Sequence, residues 1–284
     1  MTRPRPVVCL DLDRTIIYSA AALRLDAART SGPALCCVET YDGAPSSFMT
    51  ERAATTLVRL AEVAHVVPVT TRTRAQLARV RLPGPPPGVA VAGNGGHLLV
   101  DGEPDPRWAA LVRSRLAGVA PLAEVTARIG PGGGFLRSVR AADGLFVYAV
   151  VDRAALPAGW VEDLAGWCEP RGWRVSLQGR KVYAVPHPLT KSAAAAEVRA
   201  RCGGGPLFAA GDSLLDADLL EHADAAIRPA HGELAAAGWT LPHVAVTTRH
   251  GGAAGEQVLA AALAWASAAC APDPSLFTRT TTGA

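Results

Sequence analysis

Lysine is rare in this sequence. Only Lys181 and Lys191 occur among 28 lysines and arginines in 284 residues, and all the other cations are arginines. The 28 cationic side chains are scattered and face 25 acidic ones, which leaves a net charge of +3. Because nucleic-acid-binding surfaces are locally and strongly basic, we expect no nucleic-acid partner. The two lysines are exceptions that need a specific explanation.

Long hydrophobic runs and closely paired cysteines are also missing. No stretch approaches the ~20 apolar residues of a membrane-spanning helix, so we expect no membrane partner. The six cysteines form no C-x-x-C pair, which argues against a zinc site and against a disulfide framework. The apolar run of residues 7–10 is too short for the core of a signal peptide, and we therefore expect a cytoplasmic protein.

Short apolar runs alternate with helical segments along much of the chain. With 49% hydrophobic and 19% charged residues, the chain can bury a large core, and its length suits about two domains of ~150 residues each. Uninterrupted apolar runs are typical of parallel strands that are buried on both faces. The pattern predicts an α/β fold with a Rossmann-like, doubly wound parallel sheet. The predicted strands span residues 7–12, 66–69, 89–92, 207–210, 225–227 and 244–247, and the predicted helices span 19–30, 51–63, 192–202, 214–222 and 255–269.

The pattern changes in the middle of the chain, where hairpins replace the simple alternation. Asp143-Gly144 and Gln178-Gly179 lie between strand-like flanks, as hairpin turns do. The predicted elements there are helices at residues 108–117 and 160–169 and strands at residues 135–140, 145–151, 174–177 and 181–185. Their order, αββαββ, predicts a small antiparallel sheet that is inserted into the first domain.

Two acidic residues follow the first predicted strand, in the segment Asp11-Leu12-Asp13-Arg14-Thr15. Because side chains alternate along a strand, Asp11 and Asp13 point to one side at the carboxyl edge of the sheet, where open α/β sheets bind ligands. Two carboxylates at this edge repel each other unless a cation joins them. Oxygen ligands without nearby histidine or cysteine favour Mg²⁺. Taken alone, the pair fits a strand-end turn and helix cap equally well.

Two further segments place polar groups where the sheet edge is expected. Thr70-Thr71-Arg72 follows the second core strand and supplies a hydroxyl there. Alone this is a weak signal, since such a threonine often caps the next helix. Lys191 opens a predicted helix, and a helix N terminus favours anions. Its ammonium is therefore a candidate to contact a phosphate or to neutralise a carboxylate.

A second acidic cluster follows the strand predicted at residues 207–210. Asp212 lies at the end of that strand, and Asp216 lies one turn into the following helix, so the two carboxylates could face one site. Two acidic clusters, a hydroxyl and a lysine are the groups that Mg²⁺-assisted phosphoryl transfer through an aspartyl-phosphate needs.

This ordered set resembles the four motifs of the haloacid dehalogenase (HAD) superfamily. The motifs span almost the whole chain and are Asp11-x-Asp13-x-Thr15, Thr70, Lys191 and Gly211-Asp212-x-x-x-Asp216. The insert lies between the hydroxyl and lysine motifs, which resembles the subclass with a type-two cap. That subclass includes Cof-type, sucrose-phosphatase-like and mannosyl-3-phosphoglycerate-phosphatase-like enzymes and the phosphomannomutases. Asn94-Gly95, just before the insert, also resembles it.

The resemblance implies a domain division and a role for each motif residue. The expected units are a core of residues 1–96 and 187–271 and an inserted cap of residues 97–186. Independently of the resemblance, the threonine-rich composition after Pro272 predicts a flexible tail of residues 272–284. Asp11 would attack phosphorus, while Asp13 would protonate the leaving alcohol and later deprotonate a water molecule. The implied phosphate-binding residues are Thr70, Thr71 and Lys191. The implied Mg²⁺ ligands are Asp11, Asp13 through its backbone carbonyl, Asp212 and Asp216.

The sequence also departs from the HAD pattern. Leu215 stands where many type-two-cap relatives have asparagine, and Thr71 stands where glycine usually follows the threonine. The first departure removes a polar group near the metal, whereas the acid at position 13 argues against the halide-removing branch. Residues 31–50 exceed a minimal connection and predict a small hairpin around Asp42-Gly43. This hairpin either flanks the pocket or is a surface excursion.

Substrate specificity is expected from side chains that face the site, mainly from the insert. The candidate substrate residues are Arg72, Asn94, Arg180 and Lys181. Arg137 and Arg140 could also bind a second anionic group, although all these charges could equally be solvated. We expect a Mg²⁺-dependent phosphatase of a small phosphorylated metabolite, such as a sugar phosphate. The alternatives are a phosphomutase of the phosphomannomutase type and a non-catalytic binding module.

Overall fold

The computed structural model describes residues 4–23, 33–130 and 133–270. The strands are β1 (Val7–Leu10), β2 (Leu35–Tyr41), β3 (Ala44–Thr50), β4 (His65–Pro68), β5 (Val89–Ala92), β6 (His97–Val100), β7 (Glu103–Pro104), β8 (Leu136–Ala142), β9 (Phe146–Val151), β10 (Trp173–Gln178), β11 (Lys181–Pro186), β12 (Leu207–Ala210), β13 (Ala225–Arg228) and β14 (Val244–Val246). The α-helices are α1 (Glu51–Val63), α2 (Arg74–Leu77), α3 (Pro106–Leu116), α4 (Leu122–Ile129), α5 (Trp160–Cys168), α6 (Lys191–Arg201), α7 (Ala217–Glu221), α8 (Glu233–Ala236) and α9 (Gly252–Cys270). Short 3₁₀ turns span Gly93–Gly95, Glu169–Arg171 and Leu214–Asp216.

Five strands form a parallel sheet in the order β14-β13-β12-β1-β4. Side chains of β1 alternate between its two faces. Val8 and Leu10 pack in the cluster that contains α1 and α9, whereas Val7 and Cys9 pack in the cluster that contains α6 and α7. A sheet covered by helices on both faces confirms the predicted doubly wound α/β fold.

β5 does not join this parallel sheet as a full member, contrary to the expectation from its apolar run. It pairs antiparallel with β6, which pairs with β7. One parallel bridge, between Val69 and Val91, connects it to the end of β4. The reason lies in the turn that follows β5, where Gly93, Asn94 and Gly95 all have positive φ and return the chain alongside β5.

The insert contains a four-stranded antiparallel sheet in the order β10-β11-β9-β8, packed against α4 and α5. The predicted αββαββ order is correct except for one additional helix, α4. This helix has eight residues and buries only Val125 and Ile129. Two apolar residues in so short a segment do not distinguish a helix from a loop in the sequence. The hairpin turn at Asp143 and Gly144 has φ values of 49° and 71°, as an Asp-Gly pair favours.

Four smaller expectations have different outcomes. The hairpin predicted around Asp42-Gly43 is present as β2 and β3. The helix predicted at residues 214–222 is a 3₁₀ turn followed by α7. The helix predicted at residues 19–30 lies partly outside the described residues, and its described part forms a turn. The tail at residues 272–284 lies outside them entirely. Across the described residues, no helix combines the length and the apolar character needed to cross a membrane.

Candidate active site

The carboxyl edge of the parallel sheet brings Asp11 and Lys191 into contact. Asp11 follows β1, and Lys191 is the first residue of α6. The Lys191 Nζ donates hydrogen bonds to Asp11 Oδ1 at 2.7 Å and to Asp216 Oδ1 at 2.5 Å, and the lysine side chain is fully buried. The hydroxyl of Thr15 donates to Asp11 Oδ2 at 3.0 Å. The buried lysine thus joins two acidic motifs that are far apart in the sequence.

The second acidic cluster lies against the first. Asp212 follows β12, and Asp216 Oδ2 accepts hydrogen bonds from the backbone nitrogen and the hydroxyl of Ser213 at 2.9 and 2.7 Å. One carboxylate oxygen from each of Asp11, Asp212 and Asp216 lies within 4.8 Å of the others. Hard oxygen donors at such a spacing are the ligands that Mg²⁺ prefers. The donor set therefore fits the cation that the sequence predicts.

Burial and repulsion disfavour the charged forms of Asp11 and Asp212. Burial raises the pKa of Asp11 to about 7, although the charge of Lys191 opposes this shift. Burial, followed by repulsion from Asp11 and Asp216, raises the pKa of Asp212 well above its ordinary value. Burial alone would lower the pKa of Lys191, but attraction from Asp11 and Asp216 raises it. A divalent cation among the acids would relieve this electrostatic cost.

Asp13 faces a cleft and is held by Arg72. The Asp13 side chain is 51% exposed, and Arg72 donates to its two oxygens from Nε at 2.7 Å and from Nη2 at 2.8 Å. The Nη1 of Arg72 lies 2.9 Å from Glu39 Oε1. The surrounding protein opposes ionisation of Asp13, but the hydrogen bonds and charge of Arg72 hold its pKa below the ordinary value. Asp13 is therefore ionised in this arrangement.

The remaining predicted residues divide between the sheet edge and the cap. Thr70 is buried just after β4, and its hydroxyl accepts a hydrogen bond from the backbone nitrogen of Arg72 at 3.2 Å. Thr71, Arg180 and Lys181 line a cleft of about 440 Å³ between the parallel sheet and the antiparallel sheet. The same cleft is lined by Asp13 and Asp212. The structure therefore brings Asp13, Asp212 and Thr71 to one opening with the cap residues Arg180 and Lys181.

No protein-family model and no curated protein matches the sequence. Solved structures do match it. The sucrose-phosphatase from Synechocystis sp. PCC6803 has 14% sequence identity and a TM-score of 0.64, over 92% of this chain and 98% of that chain. The C-terminal domain of trehalose-6-phosphate phosphatase from C. albicans has 11% identity and a TM-score of 0.54, over 92% and 93%. A sugar phosphatase of HAD subclass IIB has 11% identity and a TM-score of 0.52, over 85% and 93%. The chain shares the fold of these proteins, a parallel-sheet core with an inserted cap.

Two candidate substrate residues lie elsewhere in this fold. Asn94 is fully buried, and its Nδ2 donates to the backbone oxygen of Leu189 at 2.9 Å. It therefore ties the turn after β5 to the segment before α6 instead of facing the cleft. Arg137 pairs with Asp152 at 2.5 Å, and its side chain is 62% exposed. Of the two cap arginines considered for a second anion, only Arg140 lines the cleft beside Asp13.

The departure at Leu215 has a structural explanation. Its side chain is 1% exposed and packs in the core cluster that includes Leu219 and Leu220. The polar contact that an asparagine could provide is absent, but Ser213 hydrogen-bonds Asp216 through both its nitrogen and its hydroxyl. Asp216 is therefore held in place from the other end of the 3₁₀ turn.

Several residues at the site are not predicted by the sequence. Glu39 on β2 binds Arg72, and Arg14 Nε lies 3.5 Å from Asp212 Oδ2. Glu233, at the start of α8, accepts hydrogen bonds from the hydroxyl of Ser176 on the cap strand β10. These contacts join distant parts of the chain, so local composition carries no signal for them. The positive φ of Arg14, at 64°, is likewise visible only in the structure.

Replacing Gly95 with alanine is expected to destabilise the protein by at least ~2 kcal/mol. Gly95 has a φ of 94°, and an added Cβ would lie 2.0 Å from the backbone oxygen of Thr190. Thr190 caps α6, so the clash also displaces the helix start that carries Lys191. Urea unfolding measures the loss. The control is Gly118→Ala, where an added Cβ meets no atom within 4 Å. Equal stability of both variants would contradict the close approach.

Proposed function

We propose that the chain is a Mg²⁺-dependent phosphatase that hydrolyses a small phosphorylated metabolite through an aspartyl-phosphate. The observation that carries this proposal is the 2.7 Å contact between Lys191 Nζ and Asp11 Oδ1 beside Asp212 and Asp216. A nucleophilic carboxylate, a cation for phosphoryl oxygens and ligands for a metal thus lie together. A protein that only binds phosphate has no need of Asp13 beside them.

In the first step Asp11 attacks phosphorus. A bond forms between its carboxylate oxygen and phosphorus, and the bond from phosphorus to the leaving oxygen breaks. Lys191 and the hydroxyl of Thr70 hold the phosphoryl oxygens, which favours the transition state by neutralising and aligning its charge. Asp13 gives its proton to the leaving oxygen. Arg72 holds Asp13 ionised in the free protein, and the negative phosphoryl group that arrives beside it favours the protonated form.

In the second step a water molecule attacks the phosphoaspartate. Asp13, now ionised, takes the proton of the water, and the bond between Asp11 and phosphorus breaks to release phosphate. The residues that would hold Mg²⁺ are Asp11, Asp212, Asp216 and the backbone carbonyl of Asp13. When bound, Mg²⁺ would neutralise charge on the phosphoryl oxygens. Asp216 accepts hydrogen bonds from Lys191 at one oxygen and from Ser213 at the other. It therefore also orients the ammonium group of Lys191.

A sugar phosphate or a similar polyol phosphate is the proposed substrate class. The solved structures of similar fold include a sucrose-phosphatase in complex with sucrose and phosphate and a trehalose-6-phosphate phosphatase. In this chain, Tyr148 and Tyr183 line a cleft next to Asp13, and their ring centroids lie 5.7 Å apart. Aromatic faces beside polar groups suit the mixed apolar and hydroxylated faces of a sugar.

Phosphate release tests this function directly. The purified chain is incubated with p-nitrophenyl phosphate and with a panel of phosphorylated sugars and polyols, in Mg²⁺ and in EDTA. Release of phosphate only in Mg²⁺ is the expected result. A phosphomutase would instead isomerise a sugar phosphate and require a sugar bisphosphate. A folded chain that releases phosphate from no ester would contradict the enzymatic proposal.

Mg²⁺ is expected to raise the melting temperature of the wild-type protein by about 5–10 °C at ~100 times its dissociation constant, but not that of Asp212→Asn. In EDTA the variant is expected to melt no lower than the wild type, because it lacks a buried charge that the fold disfavours. Thermal unfolding in EDTA and in Mg²⁺ checks both statements. Asp163→Asn, at an exposed position on α5, should keep the wild-type shift. An undiminished shift in Asp212→Asn would place the cation elsewhere.

A further inference from the structure

The cleft next to Asp13 carries more cationic than acidic side chains. It has a volume of about 370 Å³, within the ~300–1,000 Å³ of small-molecule sites. It lies between the hairpin β2–β3, the segment after β4 and the cap strands β8, β9 and β11. Its cationic lining residues are Arg72, Arg79, Arg140 and Lys181, and its acidic lining residues are Asp13 and Glu39.

The two acids of this cleft are already engaged by the two arginines of the core. Glu39 is 5% exposed, and its Oε1 lies 2.9 Å from Arg72 and 3.2 Å from Arg79. Ser47 donates a further hydrogen bond to Glu39 Oε2 at 2.7 Å. Asp13 accepts hydrogen bonds from Nε and Nη2 of Arg72. Glu39 is buried and bonded through both oxygens, so it positions these two arginines on the core side of the cleft.

The cap side of the cleft contributes two cations, one of which, Lys181, also acts electrostatically on Asp13. Arg140 on β8 and Lys181 on β11 make no ion pair with any residue that the structure describes. Lys181 Nζ lies 5.3 Å from the ring centroid of Tyr148, which holds it over the cleft floor. Two cations that line one polar cleft outside the ion pairs of its core wall favour an anionic group there.

Asp13 fixes which part of the substrate reaches these cations. In the proposed reaction Asp13 protonates the leaving oxygen, so the alcohol portion of the substrate must lie on its side of the phosphorus. Asp13 borders this cleft. Lys181 and Tyr183 line both this cleft and the neighbouring opening that contains Asp212. A group carried on the leaving alcohol therefore enters the space between Arg140 and Lys181.

We propose that the preferred substrate is a phosphate monoester whose alcohol portion carries a second anionic group, a carboxylate or a phosphate, bound by Arg140 and Lys181. This inference rests on the proposed phosphatase function. Arg79 and Arg72 line the opposite wall, where Glu39 and Asp13 balance their charges. Arg180, which lines only the neighbouring opening, is not part of this subsite.

The test compares esters that differ in the second charge. Glycerol 3-phosphate is paired with 3-phosphoglycerate for a carboxylate, and glucose 6-phosphate is paired with glucose 1,6-bisphosphate for a phosphate. The wild type is expected to favour the doubly anionic member of at least one pair by ~10-fold or more in kcat/KM. A preference in the first pair indicates a carboxylate as the second anionic group, and a preference in the second pair indicates a phosphate. Arg140→Gln and Lys181→Met should each lower that ratio several-fold, and Arg140→Lys should restore part of it.

Arg137→Gln is the matched control, since Arg137 lies on the same strand as Arg140 but pairs with Asp152. Its ratio should equal that of the wild type. Wild-type protein that hydrolyses the member without the second anionic group at least as well in both pairs would overturn the subsite and leave the phosphatase intact. If no ester is hydrolysed, the subsite is tested by calorimetry, which measures the binding affinity of both members of each pair in EDTA. Tighter binding of a doubly anionic member, lost in Arg140→Gln, supports the subsite, and equal binding overturns it.

Discussion

Replacing Asp11 with asparagine is expected to lower kcat by at least ~10³-fold for every phosphate ester that the wild type hydrolyses. The amide has nearly the shape of the carboxylate, but it cannot attack phosphorus to form an acyl phosphate. The loss should not depend on the leaving group, because all esters share the nucleophile. Steady-state phosphate release at saturating substrate and Mg²⁺ measures it. In wild-type protein quenched during turnover, the peptide that contains Asp11 should carry one phosphoryl group.

The control for this variant is Asp163→Asn. Asp163 is an exposed acid of α5 that pairs with Arg128, so its replacement should leave kcat within about two-fold of the wild type. Thermal unfolding shows whether Asp11→Asn is folded. A folded Asp11→Asn protein as active as the control, or a phosphoryl group on another peptide, would remove Asp11 from the role of nucleophile.

The sequence predicts the fold well where one short-range pattern decides. Uninterrupted apolar runs indicate β1, β4 and β12, and the Asp143-Gly144 pair indicates the first cap hairpin. The pattern misleads at β5, because an apolar run does not specify its partner. The positive φ values at Gly93 to Gly95 decide that pairing, and they depend on tertiary packing. It also misses α4, whose eight residues bury only two side chains.

The sequence predicts those residues of the candidate site whose position follows from a strand end or a helix start. Asp11, Asp212 and Lys191 follow strands or open a helix, so topology alone brings them to one edge of the sheet. Asn94 follows a strand as well, but its left-handed conformation turns the side chain into the core. Glu39 could not be assigned, because its partner Arg72 lies on a separate segment and their contact depends on how the hairpin β2–β3 packs.

Replacing Lys191 with methionine is expected to lower the free energy of unfolding by about 3–5 kcal/mol near neutral pH in EDTA. Methionine fills a similar space, but Asp11 and Asp216 lose the cation that lies 2.7 and 2.5 Å from their oxygens. Two buried carboxylates then face each other without compensation. Urea unfolding measures this loss. Phosphate release should fall by at least ~10²-fold in Mg²⁺, because no ammonium remains to hold the phosphoryl group.

The destabilisation should grow as pH rises. The pKa of Asp11 is about 7 in the folded wild type, above its ordinary value of ~4 in an unfolded chain. A carboxyl whose pKa rises on folding contributes stability below its unfolded pKa and loses that contribution as pH rises through the folded pKa. Without Lys191 the folded pKa of Asp11 rises further, so the variant loses stability over a wider range. The difference between wild type and variant should therefore be larger at about pH 8 than at about pH 5.

Lys181→Met is the matched control, because it removes the other lysine of the chain from an exposed position. Its free energy of unfolding should stay within about 0.5 kcal/mol of the wild type at both pH values. The pH dependence separates lost charge compensation from lost packing, since a packing defect costs the same at either pH. A Lys191→Met protein with a pH-independent loss would mean that Asp11 and Asp216 do not depend on this cation. The electrostatic account of the site would then be wrong.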